Sequence, residues 1–411
     1  MSGHSIRFLH AGSFHLEATL QGLYDVPEHL AEALVNAPFA AAERVFTAAL
    51  REEVDFLILS GDLLDPTNAG PRAVAFLTDE FTRLSEKAIP VYWAASRLDQ
   101  TDGWLSALEW PENVHVLSSS SVESIEHKRG ELPVARICGR SWHESRTLHS
   151  SEFVAVASDL PRVVVLPESL EIDDPDKSGV LYWGLGGSVN AGTPHTGVSV
   201  AHCPGGPQGF QPSESGPHGC SLVHIDPEGR VRTRMIQSDS WRWCLPRLNL
   251  TAGIAYDTVL HEMHSRVERL MEEAQRPLLV CWLASGLGRF DSAFASATER
   301  DETVEKLRKE FGYGSPAAWS VSFELESPHA LRAEWCEEDS ILGDFMRVAR
   351  DYYEEDEKPL RLEDLLVETC LPGGIAPGAL TDVGLEDRDV LLHQAAVLGL
   401  DLLRDDDAVP H

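Results

Sequence analysis

The sequence predicts an α/β protein of two or three domains. Three observations carry that reading. From Ser5 to about Ser240 short apolar strands alternate with helix-like stretches. From Trp243 to about Glu326 the order is strand, helix, strand, helix, strand, which suits a small α+β unit. From Ser340 onward apolar residues recur at helical spacing. A chain of 411 residues can give each part its own core. The expected division is 1–242, 243–335 and 336–411.

The first unit's strands are read as IRFLHA, DFLILSG, IPVYWAA, NVHVLSS, ARICGRSW, RVVVLP, GVLYWGLGG and GVSVAHC. CSLVHIDPEGRVRTRMI reads as a hairpin around Pro227, Glu228 and Gly229. Ala40 to Glu53 and Pro71 to Lys87 carry apolar stripes at 3- and 4-residue spacing and are expected helices. Glu168 to Ser178 is acidic and contains Pro, so it is expected to be a loop. Gly186 to Gly219 is rich in Gly, Pro and Ser and is expected to be ordered loop around one strand.

In the second unit the strands are Arg247 to Thr251, PLLVCWLA and AWSVSFELE, and the helices Tyr256 to Ala274 and Thr298 to Phe311. In the tail, Ser340 to Tyr353 is an amphipathic helix with Ile341, Leu342, Phe345, Met346 and Val348 on its apolar side. Arg361 to Glu368 and Leu385 to Leu403 are further helices. Such helices fold back on the chain or dock on a partner.

Composition excludes several classes. Hydrophobic content is 43%, ordinary for a globular protein, and no apolar run is long enough to span a membrane. Met1 to Arg7 lacks the pattern of a signal peptide, so the expectation is cytoplasmic. The seven cysteines, Cys138, Cys203, Cys220, Cys244, Cys281, Cys336 and Cys370, are scattered and form no C-x-x-C pair. That pattern fits reduced, buried thiols rather than a zinc site. The formal charge of −32 argues against direct DNA binding, which draws its affinity from Lys and Arg. An acidic surface keeps a protein soluble; it also suits a basic protein partner.

The ends of the first unit's strands carry the chemistry. In DFLILSGDLLD a buried strand breaks at Gly61 and projects Asp62, a hard oxygen ligand. One such element is common. The ordered series FLHAGSFHLEATLQGL, DFLILSGDLLD, IPVYWAASRLD, WPENVHVL, GVLYWGLGG and CPGGPQGFQPSESGPHGCSLVHID is specific. It resembles the calcineurin-like metallophosphoesterases, and within them the SbcD/YhaO branch of DNA-repair exonucleases. The resemblance covers the whole first unit and implies a metallophosphoesterase β-sandwich flanked by helices. The second unit looks like the family's capping domain, and the tail like its YhaO-type C-terminus.

The family builds a two-metal site from five loops: D-x-H, Gly-Asp, the Asn of G-N-H-D, a lone His, and both His of G-H-x-H. Two ions roughly 3.5–4 Å apart clamp the attacking and leaving oxygens of a phosphodiester. Carried over residue by residue, little of that set survives. Ser13 stands for Asp, and His15 is kept. Gly61 and the bridging Asp62 are kept. In ASRLD, Arg97 replaces the ligand Asn, Leu98 the catalytic His, and Asp99 remains. Pro167 occupies the lone-His position, and Gly187 and Val189 stand at the two last histidines. A guanidinium always carries charge and would repel a divalent ion. The resemblance therefore implies a degenerate metal site, with no cofactor expected, or Mn²⁺ if a site persists.

Arg97 is expected either to pair with Asp62 in the vacated metal position or to point to solvent. Arg97, Asp62 and Asp99 together form a candidate anion or ion-pair site. His10 is expected to brace the first loop, and His195, His202, His218 and His224 are loop histidines that a rebuilt site could recruit. HEMH (His261 to His264) lacks the spacing of H-E-x-x-H and reads as helix surface, and GLGGS lacks the end of a P-loop. Trp104, Trp110, Trp241 and Trp243 read as core and domain-junction residues rather than base-stacking platforms.

Three functions follow. The first is a pseudo-nuclease that serves as a structural or regulatory subunit. Its implied partner is a coiled-coil ATPase of the SbcC or YhaN type, held through the C-terminal helices, and the family also suggests a homodimer. The second is an active phosphodiesterase or exonuclease with an atypical site from His15, Asp62, Asp99 and loop histidines. The third is an anion-binding module beside Arg97.

Overall fold

A computed structural model describes residues 4–64, 70–99, 108–144, 149–154, 159–250, 254–285, 297–325, 336, 338–354 and the isolated positions 392, 395, 396, 399 and 403. Two six-stranded sheets face each other. The first combines parallel strands β1 (Ile6–Gly12), β2 (Phe56–Ser60), β3 (Val91–Ala94) and β4 (Val114–Val116) with the antiparallel hairpin β11 (Gly219–Ile225) and β12 (Val231–Gln237). Its order is β12-β11-β1-β2-β3-β4. The second holds β5 (Glu123–Arg129), β6 (Leu132–Gly139), β7 (Arg162–Val165), β8 (Tyr182–Gly184), β9 (Gly192–Thr196) and β10 (Val200–Cys203), in the order β5-β6-β7-β8-β10-β9.

Strand alternation divides the core in two. Ile6, Phe8, Phe56, Ile58 and Tyr92 point between the sheets and meet Ala135, Ile137, Val163, Val165 and Tyr182. Leu9, Ala11, Leu57, Leu59 and Trp93 point the other way, onto helices. Because β2 is buried on both faces, all five of its residues are apolar or hydrogen-bonded within the core. The parallel crossovers run through α1 (Glu28–Val35) and α2 (Ala37–Arg51), then through α3 (Pro71–Ser85). The last begins with Pro at its first position and lays Ala73, Leu77, Phe81 and Leu84 on the sheet. Its first N–H groups are met by the Glu17 carboxylate, which accepts from Gly70 and Ala73. On the outer face of the second sheet, Phe153 of the short helix α4 (Ser151–Val154) covers Trp183 and Val164.

Besides the four-residue α4 and a three-residue strand at Arg242–Cys244, three elements escape the sequence reading. One is α1, an eight-residue helix with only Leu30 and Leu34 buried. The others are β5 and β9, whose largely exposed residues give no apolar alternation strong enough to mark them. The Pro227–Gly229 turn closes as expected, with Asp226 accepting from the Glu228 and Arg230 N–H groups.

The α+β portion follows in the same compact unit. Strands β13 (Arg242–Cys244) and β14 (Arg247–Asn249) run parallel to successive halves of β15 (Leu278–Ser285), and β16 (Ala318–Leu325) also pairs with β15. Helices α5 (Tyr256–Ala274) and α6 (Ala297–Phe311) accompany this sheet, and His264 of the HEMH stretch reaches Glu310 at 3.2 Å. Trp241, Trp243 and Trp319 bury against Leu30, Leu34 and Ala37, which joins this sheet to the first crossover. Trp110 packs on Phe81 and Trp93, while Trp104 lies outside the described residues.

By its contacts the chain forms two compact units, Met1–Glu324 and Leu325–His411. In the second, α7 (Ile341–Glu354) buries Leu342 and Met346 beside Cys336 and leaves Ile341 and Val348 exposed. The helix expected at Arg361 to Glu368 lies outside the described residues, as does that at Leu385 to Leu403 apart from five positions. No described helix is long and apolar enough to cross a membrane.

Two polar arrangements inside the first unit tie distant parts of it together. Asp239 is fully buried and is gripped by Arg242 (2.8 Å) and Arg276, while Arg44 donates to its backbone carbonyl at 2.6 Å. Replacing Asp239 by Ala strands two guanidinium groups, and should lower unfolding free energy by about 3–5 kcal/mol. A urea melt of the variant reads this directly, and a loss below about 1 kcal/mol would contradict it.

The second arrangement is a seam between the sheets. The Ser60 hydroxyl donates to the Leu185 carbonyl (3.2 Å), so it accepts from His10 Nε2 (2.7 Å), and His10 Nδ1 accepts from the Tyr182 hydroxyl (2.8 Å). His202 bridges Thr193 (2.8 Å) and Ser221 (2.7 Å) nearby. Burial holds His10 well below its ordinary range and brings His202 from 6.5 to about 4. Both rings are therefore neutral when folded, whereas the unfolded chain takes up protons first. Stability is full above pH 6.5 and falls toward pH 4, with a slope of up to ~1.4 kcal/mol per pH unit for each ring. Urea midpoints between pH 7 and 5 should fall more steeply for the wild type than for His202→Gln; parallel slopes would count against the seam.

Candidate functional site

The site is built where β1, β2, β3, β7 and β8 end. After β1 the chain passes Gly12, whose missing side chain is required: a Cβ there would lie 1.8 Å from the Ser60 carbonyl oxygen. Ser13 (φ 49°), His15 (φ 45°) and Glu17 (φ 72°) then adopt left-handed conformations. This alternation aims consecutive N–H groups the same way. Phe14 N (2.6 Å) and His15 N (3.4 Å) donate to the Asp62 carbonyl, and Leu16 N donates to that of Leu63 (3.1 Å). The first loop thus hangs on the backbone of the second.

The second loop turns at Gly61 (φ 88°). A Cβ on Gly61 would lie 3.0 Å from Gly187 N, 3.3 Å from Ser13 Oγ and 3.5 Å from the Pro167 carbonyl oxygen. One on Gly186 would lie 2.5 Å from that same oxygen and 2.7 Å from Gly61 N. Ser13, Asp62, Pro167 and Gly187 therefore belong to loops packed backbone against backbone. Val189 stands slightly apart, with its carbonyl accepting from Gly206 N at 2.7 Å.

The third loop is held by Asp99. Its carboxylate is fully buried and accepts from Leu63 N (3.0 Å), Leu64 N (2.9 Å) and Ser96 N (3.0 Å). Burial pushes this carboxyl up to about 7, against the pull of its N–H donors. Asp99 is thus a brace between two loops, and does not face the site as an anion-binding or metal-binding group.

Asp62 points into the space these loops surround. Its Oδ1 accepts from the Ser96 hydroxyl, which in turn accepts from Leu98 N at 3.1 Å. His15 Nε2 lies 3.8 Å from Asp62 Oδ2, beyond hydrogen-bond range. Of the two alternatives for Arg97, the ion pair with Asp62 does not form. Arg97 is exposed, and among the described residues no ion pair reaches it. The reason is local: Ser96, one residue earlier, already satisfies the carboxylate, so the guanidinium keeps its hydration. Ser96 is the residue that sequence reasoning missed. Its only signal was a hydroxyl standing beside Arg97 in the ASRLD frame.

The donor set does not fit a two-metal centre. Of the seven positions carried over, only His15 and Asp62 offer the ligating side chains that such a centre uses, and one Asp62 oxygen is engaged. Among the described residues no three His, Cys, Asp or Glu side chains group at ligand spacing. The loop histidines bond elsewhere. His195 meets Asp176 (3.0 Å), His218 the Glu214 carbonyl (2.8 Å) and His224 the Ser5 hydroxyl (2.7 Å). His10 and His202 belong to the inter-sheet seam, so His10 braces strand ends rather than the first loop itself.

No family model matches the chain. The uncharacterized metallophosphoesterase YhaO of Bacillus subtilis (strain 168) is 27% identical to it over 337 residues, which is 78% of this chain and 82% of that protein. The crystal structure of TT1561 of Thermus thermophilus aligns at 15% identity over 56% of this chain and 99% of that one, with a TM-score of 0.34, too loose a superposition to bear on the fold. The long alignment with YhaO, and the convergence of the strand-end loops in one place, make this chain similar to the metallophosphoesterases over most of its length.

Proposed function

We propose that this chain is a metallophosphoesterase-fold protein that no longer hydrolyses phosphodiesters and acts as a structural or regulatory subunit. One observation carries the reading: where the strand-end loops converge, His15 and Asp62 are the only family ligands left, and Ser96 has taken an oxygen of Asp62. Two-metal hydrolysis needs ions that lower the pKa of water and neutralise the charge on the leaving oxygen. A lone carboxylate does neither, and it repels a phosphate. With Leu98 at the general-acid position, the leaving group has no proton donor from that loop.

The role left to such a chain is assembly. The proposed partner is a coiled-coil ATPase of the SbcC or YhaN type, engaged through the C-terminal region. The amphipathic α7, with Ile341 and Val348 exposed, suits a docking helix. The acidic surface argues against direct contact with DNA.

Metal-stripped protein titrated calorimetrically with Mn²⁺, and assayed on a phosphodiester in parallel, should show neither stoichiometric binding nor turnover above buffer. Stoichiometric binding with turnover abolished by Asp62→Ala would overturn the proposal and establish the atypical active site instead. Truncation at about Ser340 should abolish co-purification of the ATPase while the remaining chain stays folded. Undiminished co-purification would remove the tail from the interface.

A further inference from the structure

Each sheet of the sandwich has two edges, and three of the four are blunted. β4 is only three residues long. β5 carries a register shift at His127–Lys128. β9 contains Pro194, and its partner β10 shifts register between Ala201 and Cys203. These are the ordinary means by which a sheet avoids pairing with another chain. β12 has none of them. It pairs seven residues with β11 in unbroken register, contains no Pro, and among the described residues nothing pairs with its outer edge.

That open edge is also basic, in a chain of charge −32. Arg230, Arg232 and Arg234 recur at every second residue, and no Asp or Glu occurs from Gly229 to Ser238. Arg232, Thr233 and Arg234 are exposed. Arg234 touches Glu52 at 3.3 Å with more than half of its side chain in solvent, and Arg232 is in no ion pair among the described residues. Alternation places Arg232 and Arg234 on one face, where Arg232 sits opposite His224 and His224 opposite Arg7.

We propose that β12 is a docking edge for an acidic, extended segment of a partner protein, which adds to the sheet as a further strand. Main-chain hydrogen bonds supply the pairing, and carboxylates at alternate positions lie beside Arg232 and Arg234, with small or β-branched residues between them beside Thr233 and Met235. Charge decides against a second copy of this chain as the occupant, since β12 against β12 sets arginines against arginines. Gatekeeping alone would be served by acidic residues, which this sequence uses nearly twice as often as basic ones. The inference does not depend on the fate of the metal centre.

The test uses the full chain and a labelled peptide, acetyl-Thr-Glu-Val-Glu-Val-Glu-Thr-amide, followed by fluorescence anisotropy. The peptide should bind, more weakly as salt rises, and Arg232→Glu with Arg234→Ala should weaken it about tenfold with an unchanged melting temperature. N-methylation of the amides on one edge of the peptide should abolish binding, and on the other edge should leave it intact. No binding, equal effects of the two N-methylated peptides, or an unaffected double variant would overturn the proposal. So would a peptide-free dimer that the double variant dissolves, which would give the edge to a second copy.

Discussion

The Asp99 carboxylate is the constraint on which the site's architecture depends. It is buried, yet it accepts three backbone N–H groups, two from the second loop and one from the third. This fixes Leu63 and Leu64, and hence the turn at Gly61. The Asp62 carbonyl is then presented to the first loop, which hangs from it. Three of the five loops are thereby tied to one another by protein hydrogen bonds. In a metalloenzyme, ions often share the task of holding such loops. Here the Asp99 carboxylate and the backbone of the second loop take part in that task.

The same economy recurs elsewhere. Several polar side chains that enter the interior are committed to a neighbour on another element. His10 and His202 tie the ends of the two sheets, Glu17 closes the start of α3, and Asp239 joins the sandwich to the α+β portion through Arg242 and Arg276. The histidines that might have refilled a metal site are occupied by these or similar duties. Their proximity in sequence to the fifth loop gave no guide to this, because each is bound to a partner on a different strand or turn.

How far the sequence could be read depended on the range of the signal. The buried strands, the long helices, the hairpin at Pro227–Gly229 and the turn at Gly61 were legible because their causes are local: apolar period, turn residues, and a glycine where φ is positive. α1, β5 and β9 were not, since each is short or largely exposed and is defined by pairing with distant residues. At the site, the identities of the substituted positions were readable from motif register. Their contacts were not. Arg97 invited an ion pair with Asp62, but the competition between a guanidinium and a nearby serine hydroxyl is settled by rotamer and distance. Asp99, taken as a possible site group, proved to be turned away into the brace.

The glycines of the fifth loop have a consequence for the protein's history. Gly187 sits at φ 76°, and a Cβ there would approach Glu168 Cα to 3.2 Å, while Gly186 leaves no room between Pro167 and Gly61. A single codon change that returned histidine to position 187 would meet strain before it met metal. A metal ligand at position 187 therefore asks for the neighbouring loops to be repacked with it, so that one substitution alone changes the backbone before it changes the chemistry.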